Sequence, residues 1–250
     1  MTRRVLLLGG TAEARRLATL LAGDPDVAVV SSLAGRVRTP RRPPGDVRIG
    51  GFGGQDGLAD WLCAERIDAV VDATHPFAAT ITGNAAAATA RLGLPFVVLR
   101  RPGWQPGPGD DWHWIDTVAD ATALLPALGR RVFLATGRGN LAAFADRDDL
   151  WFLLRSVDPP PPPLPTNRLV VLDRGPFDLP GELALLREHR IDVLVTRDSG
   201  GDHTRAKLTA ASAIRLPVLL ARRPPLPDVP VVTTERAAAE WLGALRHSPP

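Results

Sequence analysis

The chain has 250 residues, of which 45% are hydrophobic and 23% are charged, with a formal net charge of +3 and one cysteine. This length and apolar content suit one large or two small globular domains, and a single cysteine excludes a disulfide framework, so we expect a cytoplasmic protein. No apolar run is long enough to span a membrane, and no basic tract interleaved with aromatic residues favours nucleic-acid binding.

The first half of the chain alternates short apolar runs with helical segments, as a parallel sheet requires. The runs are continuously apolar, which is typical of strands buried on both faces. We predict strands at Val5–Leu8, Val27–Ser32, Val47–Ile49, Ala69–Asp72 and Phe96–Leu99, and helices at Ala12–Leu21, Asp56–Glu65 and Ala78–Leu92. The segment Arg101–Trp114, rich in proline, glycine and aspartate, is predicted to be a loop that leaves this half.

The second half shows the same alternation. We predict strands at Val132–Ala135, Trp151–Ser156, Leu169–Leu172, Val193–Thr196 and Val218–Leu220, and helices at Val118–Leu128, Leu141–Ala145, Pro180–His189, Ala206–Ile214 and Thr234–Leu245. The proline run Pro159–Pro163 cannot join a central strand or a helix interior, so it is predicted to be an extended surface connection.

Three stretches of the first half recur in the same order in the second half, offset by about 120 to 127 residues. They pair Arg4–Gly10 with Arg131–Gly137, Asp68–Thr74 with Asp192–Asp198, and Leu94–Pro102 with Leu216–Pro224. A repeat of this period indicates two similar domains rather than a solenoid. We therefore predict an α/β protein of two Rossmann-like parallel-sheet domains, 1–115 and 116–250, that face each other across a cleft.

A small-residue turn follows the first predicted strand and opens a helix, where backbone N–H groups can bind a pyrophosphate. It is an imperfect dinucleotide fingerprint and equally fits a simple strand-ending turn. The second strand ends in hydroxyls with an arginine nearby, where NAD-binding domains carry an acid, so the pattern favours NADP. The candidate cofactor contacts in these two segments are Gly9, Gly10, Thr11, Ser31, Ser32 and Arg36.

The loop after the fourth predicted strand opens the alanine-rich helix, and in doubly wound dehydrogenases such a loop approaches the nicotinamide. Thr74, His75, Pro76 and Phe77 are therefore further candidate cofactor contacts. Pro76 suits a helix start, and His75 fits either a structural hydrogen bond or a catalytic role.

A rival nucleotide turn lies in the second half, where Gly137, Gly139 and Ala142 have the fingerprint spacing. It fits a phosphate, or a substrate carboxylate bound by Arg138. The residues do not decide which half holds the nucleotide, although the strand ending described above favours the first half.

The matching loop of the second half runs through Arg197, Asp198 and Ser199 and is followed by Lys207, which is the only lysine in the chain. Its Ser-Gly-Gly turn can bind an anion, and Arg197 can pair with a carboxylate. Lys207 is the candidate for a positive charge that a guanidinium cannot replace.

Taken in order, these motifs resemble the precorrin-6A reductase family of cobalamin biosynthesis along nearly the whole chain. The resemblance implies an enzyme that uses NADPH to reduce one double bond of a tetrapyrrole, precorrin-6A, to give precorrin-6B. Arg197 departs from the family pattern, which has a lysine before the Asp-Ser-Gly-Gly turn. The candidate substrate contacts are Thr136, Gly137, Arg138, Gly175, Pro176, Phe177, Arg197, Ser199, Gly200 and Gly201, and the candidate catalytic residues are Lys207, His75 and Asp198.

Other functions remain open at this point. The substrate is either metal-free precorrin-6A or the cobalt-bound ring of the anaerobic pathway. A non-catalytic two-lobed binder of an acidic ligand, or an NADP-dependent reductase of another acidic substrate, also fits. The sequence leaves the proton donor and the oligomeric state undetermined.

Overall fold

The structure, a computed structural model, describes residues 2–35 and 42–245. The chain divides into two compact domains: the first comprises residues 1–102 and 224–250, and the second comprises residues 103–223. Each domain is built on one six-stranded sheet, one strand more than the five predicted for each half of the sequence.

The strands and helices alternate along the whole chain. The strands are β1 Arg3–Leu8, β2 Val27–Leu33, β3 Asp46–Ile49, β4 Ala69–Asp72, β5 Phe96–Leu99, β6 Trp112–Ile115, β7 Arg131–Ala135, β8 Trp151–Ser156, β9 Arg168–Leu172, β10 Val193–Arg197, β11 Val218–Ala221 and β12 Val231–Val232. The α-helices are α1 Ala12–Leu21, α2 Gly54–Ala64, α3 Ala79–Leu92, α4 Ala121–Leu128, α5 Leu179–Glu188, α6 Ala206–Ala213 and α7 Glu235–Ala244, and there are 3-10 turns at Leu141–Phe144 and Asp202–Thr204.

Every strand pair described in the first sheet is parallel, and the order is β3-β2-β1-β4-β5-β12. The chain reverses direction across the sheet at β1, which pairs with β2 on one side and with β4 on the other. In an open parallel sheet, ligands bind outside the carboxyl ends of the strands at such a switch point. The turn after β1 and the loop after β4 are therefore the expected binding segments of this domain.

The second sheet repeats this order as β9-β8-β7-β10-β11-β6, and its pairs are parallel as well. Its switch point lies between β7 and β10, which are the strands that the repeat matches with β1 and β4. The predicted fold class of two parallel-sheet α/β domains is confirmed, while the predicted cleft between them stays a prediction.

The sixth strand of each sheet comes from the other half of the sequence. β6 follows β5 in the chain but pairs with β11, and β12 follows β11 but pairs with β5. The domain limits therefore differ from the predicted division at residue 115. The last helix, α7, belongs with the first domain because its apolar stripe, including Ala238 and Leu242, packs in the same core as α1.

Alternate residues of the central strands enter different cores. Val5 and Leu7 of β1 pack on the side of α1 and α7, whereas Leu6 and Leu8 pack on the side of α2. A strand covered on both faces must be apolar at every position, which explains the continuous runs that made these strands recognisable.

Two predicted elements differ from the structure. Residues 112–114, predicted as the end of the loop, form the edge strand β6 together with Ile115, which is the only fully buried residue of that strand. The predicted helix Leu141–Ala145 is a single 3-10 turn over Leu141–Phe144. Among the described residues, no helix is both long and apolar enough to cross a membrane.

Truncating α7 at its buried face should destabilise the first domain. Leu242 is 2% exposed, so Leu242→Ala should leave a cavity and reduce the free energy of unfolding by about 3 kcal/mol. Leu20→Ala is the matched control, because Leu20 is 51% exposed and its truncation should cost little. Urea unfolding followed by circular dichroism measures both, and equal losses would contradict the packing of α7 in this core.

Candidate functional site

The turn after β1 is fixed by hydrogen bonds to both neighbouring strands. The Gly9 backbone N–H donates to the Ser32 carbonyl at 2.9 Å. Thr11 is the N-cap of α1, and its buried Oγ1 accepts from the Ala14 N–H at 3.0 Å and donates to the Ala73 carbonyl at 2.7 Å. The threonine therefore ties the start of α1 to the loop after β4, across the switch point.

Two features of this edge suit a phosphate-bearing ligand. Gly10 is exposed with φ +111°, and nothing lies within 4 Å of the position that a Cβ would occupy, so a ligand can approach the backbone closely. The Ser31 hydroxyl is buried at the end of β2 and has no hydrogen-bond partner among the described residues. Ser32 is buried beside it, and Arg36 lies outside the described residues.

A carboxylate in the first turn of α1 is neutralised by arginines. Glu13 pairs with Arg101 at 2.7 Å and with Arg16 at 3.4 Å. Burial by itself raises the pKa of Glu13, but the two guanidinium charges and hydrogen bonds outweigh burial and hold this pKa below its ordinary value. Because the two arginines offset its charge, Glu13 does not prevent the N-terminus of α1 from binding an anion.

The loop after β4 is anchored by the buried Asp72. Its Oδ1 accepts from the Thr74 N–H at 2.9 Å, and its Oδ2 accepts from the Thr82 hydroxyl at 2.6 Å. His75 Nδ1 accepts from the Phe77 N–H at 3.2 Å, so a neutral His75 carries its proton on Nε2 in this geometry. An imidazolium would have to give up that hydrogen bond, which counts against His75 as the proton donor.

The first domain thus brings its predicted cofactor residues to one edge of the sheet. Their roles in binding a cofactor stay a prediction. The residues at this edge are Gly9, Gly10, Thr11, Ser31, Ser32, Thr74, His75, Pro76 and Phe77.

The turn after β7 leads into a different element from that after β1. Thr136 is buried, and Gly137 has φ +71°, with its Cβ position 3.8 Å from Arg197 Nη2. The 3-10 turn at Leu141–Phe144 takes the place of an α-helix here, so this segment lacks the aligned N–H groups and dipole of a helix terminus. Arg138 is exposed at the surface of this turn.

Asp198 bonds to residues at the beginning and at the end of the chain segment that forms the second domain. Its Oδ1 accepts from the Trp104 N–H at 2.9 Å, and its Oδ2 lies 3.0 Å from Arg223 Nε. The same Arg223 group donates to the Asp198 carbonyl at 2.9 Å. These contacts occupy both carboxylate oxygens, so we infer that Asp198 has a structural role at the points where the chain enters and leaves this domain.

The turn after Asp198 leads into α6 and positions its lysine. Gly200 has φ +65°, and the Ser199 hydroxyl lies 3.2 Å from the Thr204 hydroxyl. Lys207 Nζ donates to the Thr204 carbonyl at 2.7 Å. Gly201 precedes the 3-10 turn at Asp202–Thr204.

Lys207 is 3% exposed and is surrounded by other charges. Burial, together with the charges of Arg155 and Arg197, lowers its pKa to about 7, while the Glu182 carboxylate opposes the shift. Its Nζ lies 4.8 Å from the centre of the Trp104 ring, a cation–π contact. A lysine with such a pKa can both hold and release a proton near neutral pH.

Comparison with known protein families gives a match along nearly the whole chain. The sequence profile of the family described as precorrin-6x reductase CbiJ/CobK matches residues 4–243. This chain belongs to that family. The resemblance predicted from the motifs is therefore confirmed, and the protein is a member of a reductase family.

Individual relatives are similar over their full length. Precorrin-6A reductase of Rhodococcus erythropolis is 58% identical over 97% of this chain and 98% of its own, and that of Mycobacterium tuberculosis is 53% identical over the same shares. The solved structure of CobK precorrin-6A reductase superposes with a TM-score of 0.91 at 43% identity, covering 98% of this chain and 97% of its own. Cobalt-precorrin-6A reductase of Priestia megaterium is 26% identical over 88% of this chain and 90% of its own.

Two charged residues of the second domain, Arg155 and Glu182, were not among the site residues predicted from the sequence. Arg155 Nη1 bonds Glu182 Oε1 at 2.7 Å, and the Arg155 guanidinium lies 3.8 Å above the ring of Phe177. Arg155 interrupts the apolar run of β8, and a charge inside a buried strand was the signal that could have found it. Glu182 lies in an ordinary helix start and gave no such signal. Phe177 comes directly after Gly175 and Pro176 in the chain.

The Asp198 contacts can be tested through the glycine beside them. A Cβ on Gly103 would lie 2.5 Å from Asp198 Oδ2, in a carboxylate that is held by Trp104 and Arg223. Gly103→Ala should therefore reduce the free energy of unfolding by about 2 kcal/mol, measured by urea denaturation. Gly107→Ala is the control, since its Cβ would lie 3.8 Å from Asp110 Oδ2, an ordinary contact. Equal stability of the two variants would contradict this arrangement.

The titration of Lys207 can be observed directly because the chain has no other lysine. Labelling with ε-13C-lysine should give one NMR resonance with a midpoint at about pH 7, and Lys207→Arg should remove it. In the unfolded chain Lys207 keeps the ordinary lysine pKa of 10.5. Between pH 7 and pH 10.5 the unfolded chain therefore binds more protons than the folded chain. Stability relative to Lys207→Met should accordingly rise from pH 7 towards pH 10, by at most about 1.4 kcal/mol per pH unit. A midpoint near 10 would contradict the burial of this amine.

Proposed function

We propose that this protein uses NADPH to reduce one ring double bond of precorrin-6A, giving precorrin-6B in cobalamin biosynthesis. The observation that carries the proposal is full-length identity of 44% to 58% to relatives named precorrin-6A reductase. Relatives named cobalt-precorrin-6A reductase are only 26% to 28% identical, which favours the metal-free ring as the substrate. A cytoplasmic location is part of the proposal.

The first domain is proposed to hold NADPH. Open space at Gly10, the buried Ser31 hydroxyl and the full α-helix after β1 support this choice. The rival turn after β7 leads only into a 3-10 turn. Ser31 and Ser32 stand where an NAD-binding domain carries an acid, so a 2′-phosphate meets no repulsion from these two side chains. When bound, NADPH supplies a hydride.

The second domain is proposed to bind the carboxylate-bearing ring and to supply the proton. Addition of a hydride to one ring carbon leaves a negative charge that a proton on the neighbouring carbon removes. Lys207 suits this step because its pKa of about 7 leaves the ammonium form available at neutral pH, whereas an arginine would not release its proton. The proposed ring contacts are Thr136, Gly137, Arg138, Gly175, Pro176, Phe177, Arg197, Ser199, Gly200 and Gly201.

Anaerobic incubation with precorrin-6A tests this function. We expect NADPH oxidation, followed by absorbance, to match the loss of precorrin-6A, with a weaker response to NADH and to the cobalt-bound ring. A protein that binds the ring without oxidising NADPH would instead be a non-catalytic binder.

Replacement of Lys207 should separate proton donation from binding. Lys207→Met should lower kcat by about 100-fold or more while the Kd for NADPH stays unchanged. Lys207→Arg should be equally slow, since it keeps the charge but not the releasable proton. Single-turnover kinetics and NADPH fluorescence titration measure the two quantities. Full turnover in both variants would remove Lys207 as the donor.

A further inference from the structure

The charges around Lys207 include one buried carboxylate that has only part of its hydrogen-bonding capacity satisfied. Glu182 is 2% exposed; its Oε1 accepts from Arg155 at 2.7 Å, and its Oε2 is buried with no hydrogen-bond partner among the described residues. Leaving a buried carboxylate oxygen unpaired is destabilising, because the oxygen loses its hydration without gaining a donor. The unpaired oxygen of Glu182 therefore indicates a role for this side chain beyond packing.

The start of α5 is a favourable place for the Glu182 carboxylate. Glu182 lies in the first turn of α5, where the helix dipole stabilises a negative charge, and Asp178 caps the same helix by accepting from the Gly181 N–H at 2.8 Å. The partner guanidinium is itself fixed, because Arg155 lies near the rings of Phe177, at 3.8 Å, and Phe133, at 4.9 Å. The pair is thus held at both ends.

The balance of charge around the lysine gives the carboxylate its role. The charges of Arg155 on β8, Arg197 on β10 and Glu182 on α5 act on Lys207, and α5 packs directly against α6, the helix that carries the lysine. Two of these groups oppose a proton on Lys207, and the carboxylate alone among the three favours it. The neutral contacts of the amine are the Thr204 carbonyl and the Trp104 ring.

We propose that Glu182 is a positioning residue of this site: its buried carboxylate fixes Arg155 against Phe177 and supplies the negative charge that lets Lys207 carry a proton inside the domain. The inference rests on the proposed function for its catalytic meaning. The effect on Lys207 itself requires neither substrate nor cofactor and can be measured without them.

The single-lysine NMR signal of the full chain tests the proposal directly. Glu182→Gln keeps the shape of the side chain and an acceptor for Arg155 but removes the charge, so the Lys207 midpoint should fall by about one pH unit. Glu188→Gln is the matched control: Glu188 lies exposed on the same helix, so the Lys207 midpoint in this variant should equal that of the unchanged protein. Equal midpoints in the two variants would overturn the proposal.

A second pair of variants covers the case in which Glu182→Gln does not fold. Arg155→Met and the double variant Arg155→Met with Glu182→Met replace the ion pair stepwise by apolar groups, which buried pairs often tolerate when both partners change. Lys207 should titrate at lower pH in the double variant than in the single variant. A midpoint equal to or higher than that of the single variant would overturn the proposal.

The pH profile of kcat supplies the catalytic readout. Because the donor must be protonated, kcat should decline on the basic side, and Glu182→Gln should move this decline to lower pH by the same amount as the NMR midpoint. A purely structural role would lower kcat equally at every pH. If the unchanged protein failed to oxidise NADPH with precorrin-6A, the proposed function would fail while the NMR result on Glu182 would still stand.

Discussion

Each parallel sheet is covered by helices on both faces, so its buried strands can offer side chains to a ligand only where they end. This constraint explains why the polar residues of both domains collect at the carboxyl ends of the strands. Thr11 shows the consequence: one buried hydroxyl caps α1 and also holds the loop after β4. The same edge of the second sheet carries Asp198, with Lys207 on the helix beyond it. Because helices cover both faces of each sheet, the side chains that can contact a ligand are confined to the ends of the strands.

The two domains share a strand order but differ in their chemistry at corresponding places. After β1 the chain forms a ten-residue α-helix, whereas after β7 it forms a four-residue 3-10 turn. The first domain offsets a carboxylate, Glu13, with arginines, and the second surrounds an amine, Lys207, with other charges. A duplicated backbone has thus acquired an anion-compatible helix start in one copy and a titratable buried cation in the other.

The central strands were predictable because burial on both faces makes every position apolar, and the repeat was visible because corresponding strands keep the same burial. The edge strands were harder. β6 has only one fully buried residue, and β12 has just two residues, so neither shows a continuous apolar run. The assignment of α7 to the first domain could not be predicted either, because an apolar stripe shows that a helix packs against a core but does not show which sheet it covers.

The amino-acid sequence was sufficient to predict the fold class, the repeated order of strands, the family and the loops in which polar residues gather, because all of these depend on local pattern and on motif order. Three features came only from the three-dimensional structure: the exchange of the sixth strands, the bonds of Asp198 to Trp104 and Arg223, and the pairing of Arg155 with Glu182. Those features depend on contacts between residues far apart in the chain, and the charge state of Lys207 depends on burial, which residue types alone do not reveal.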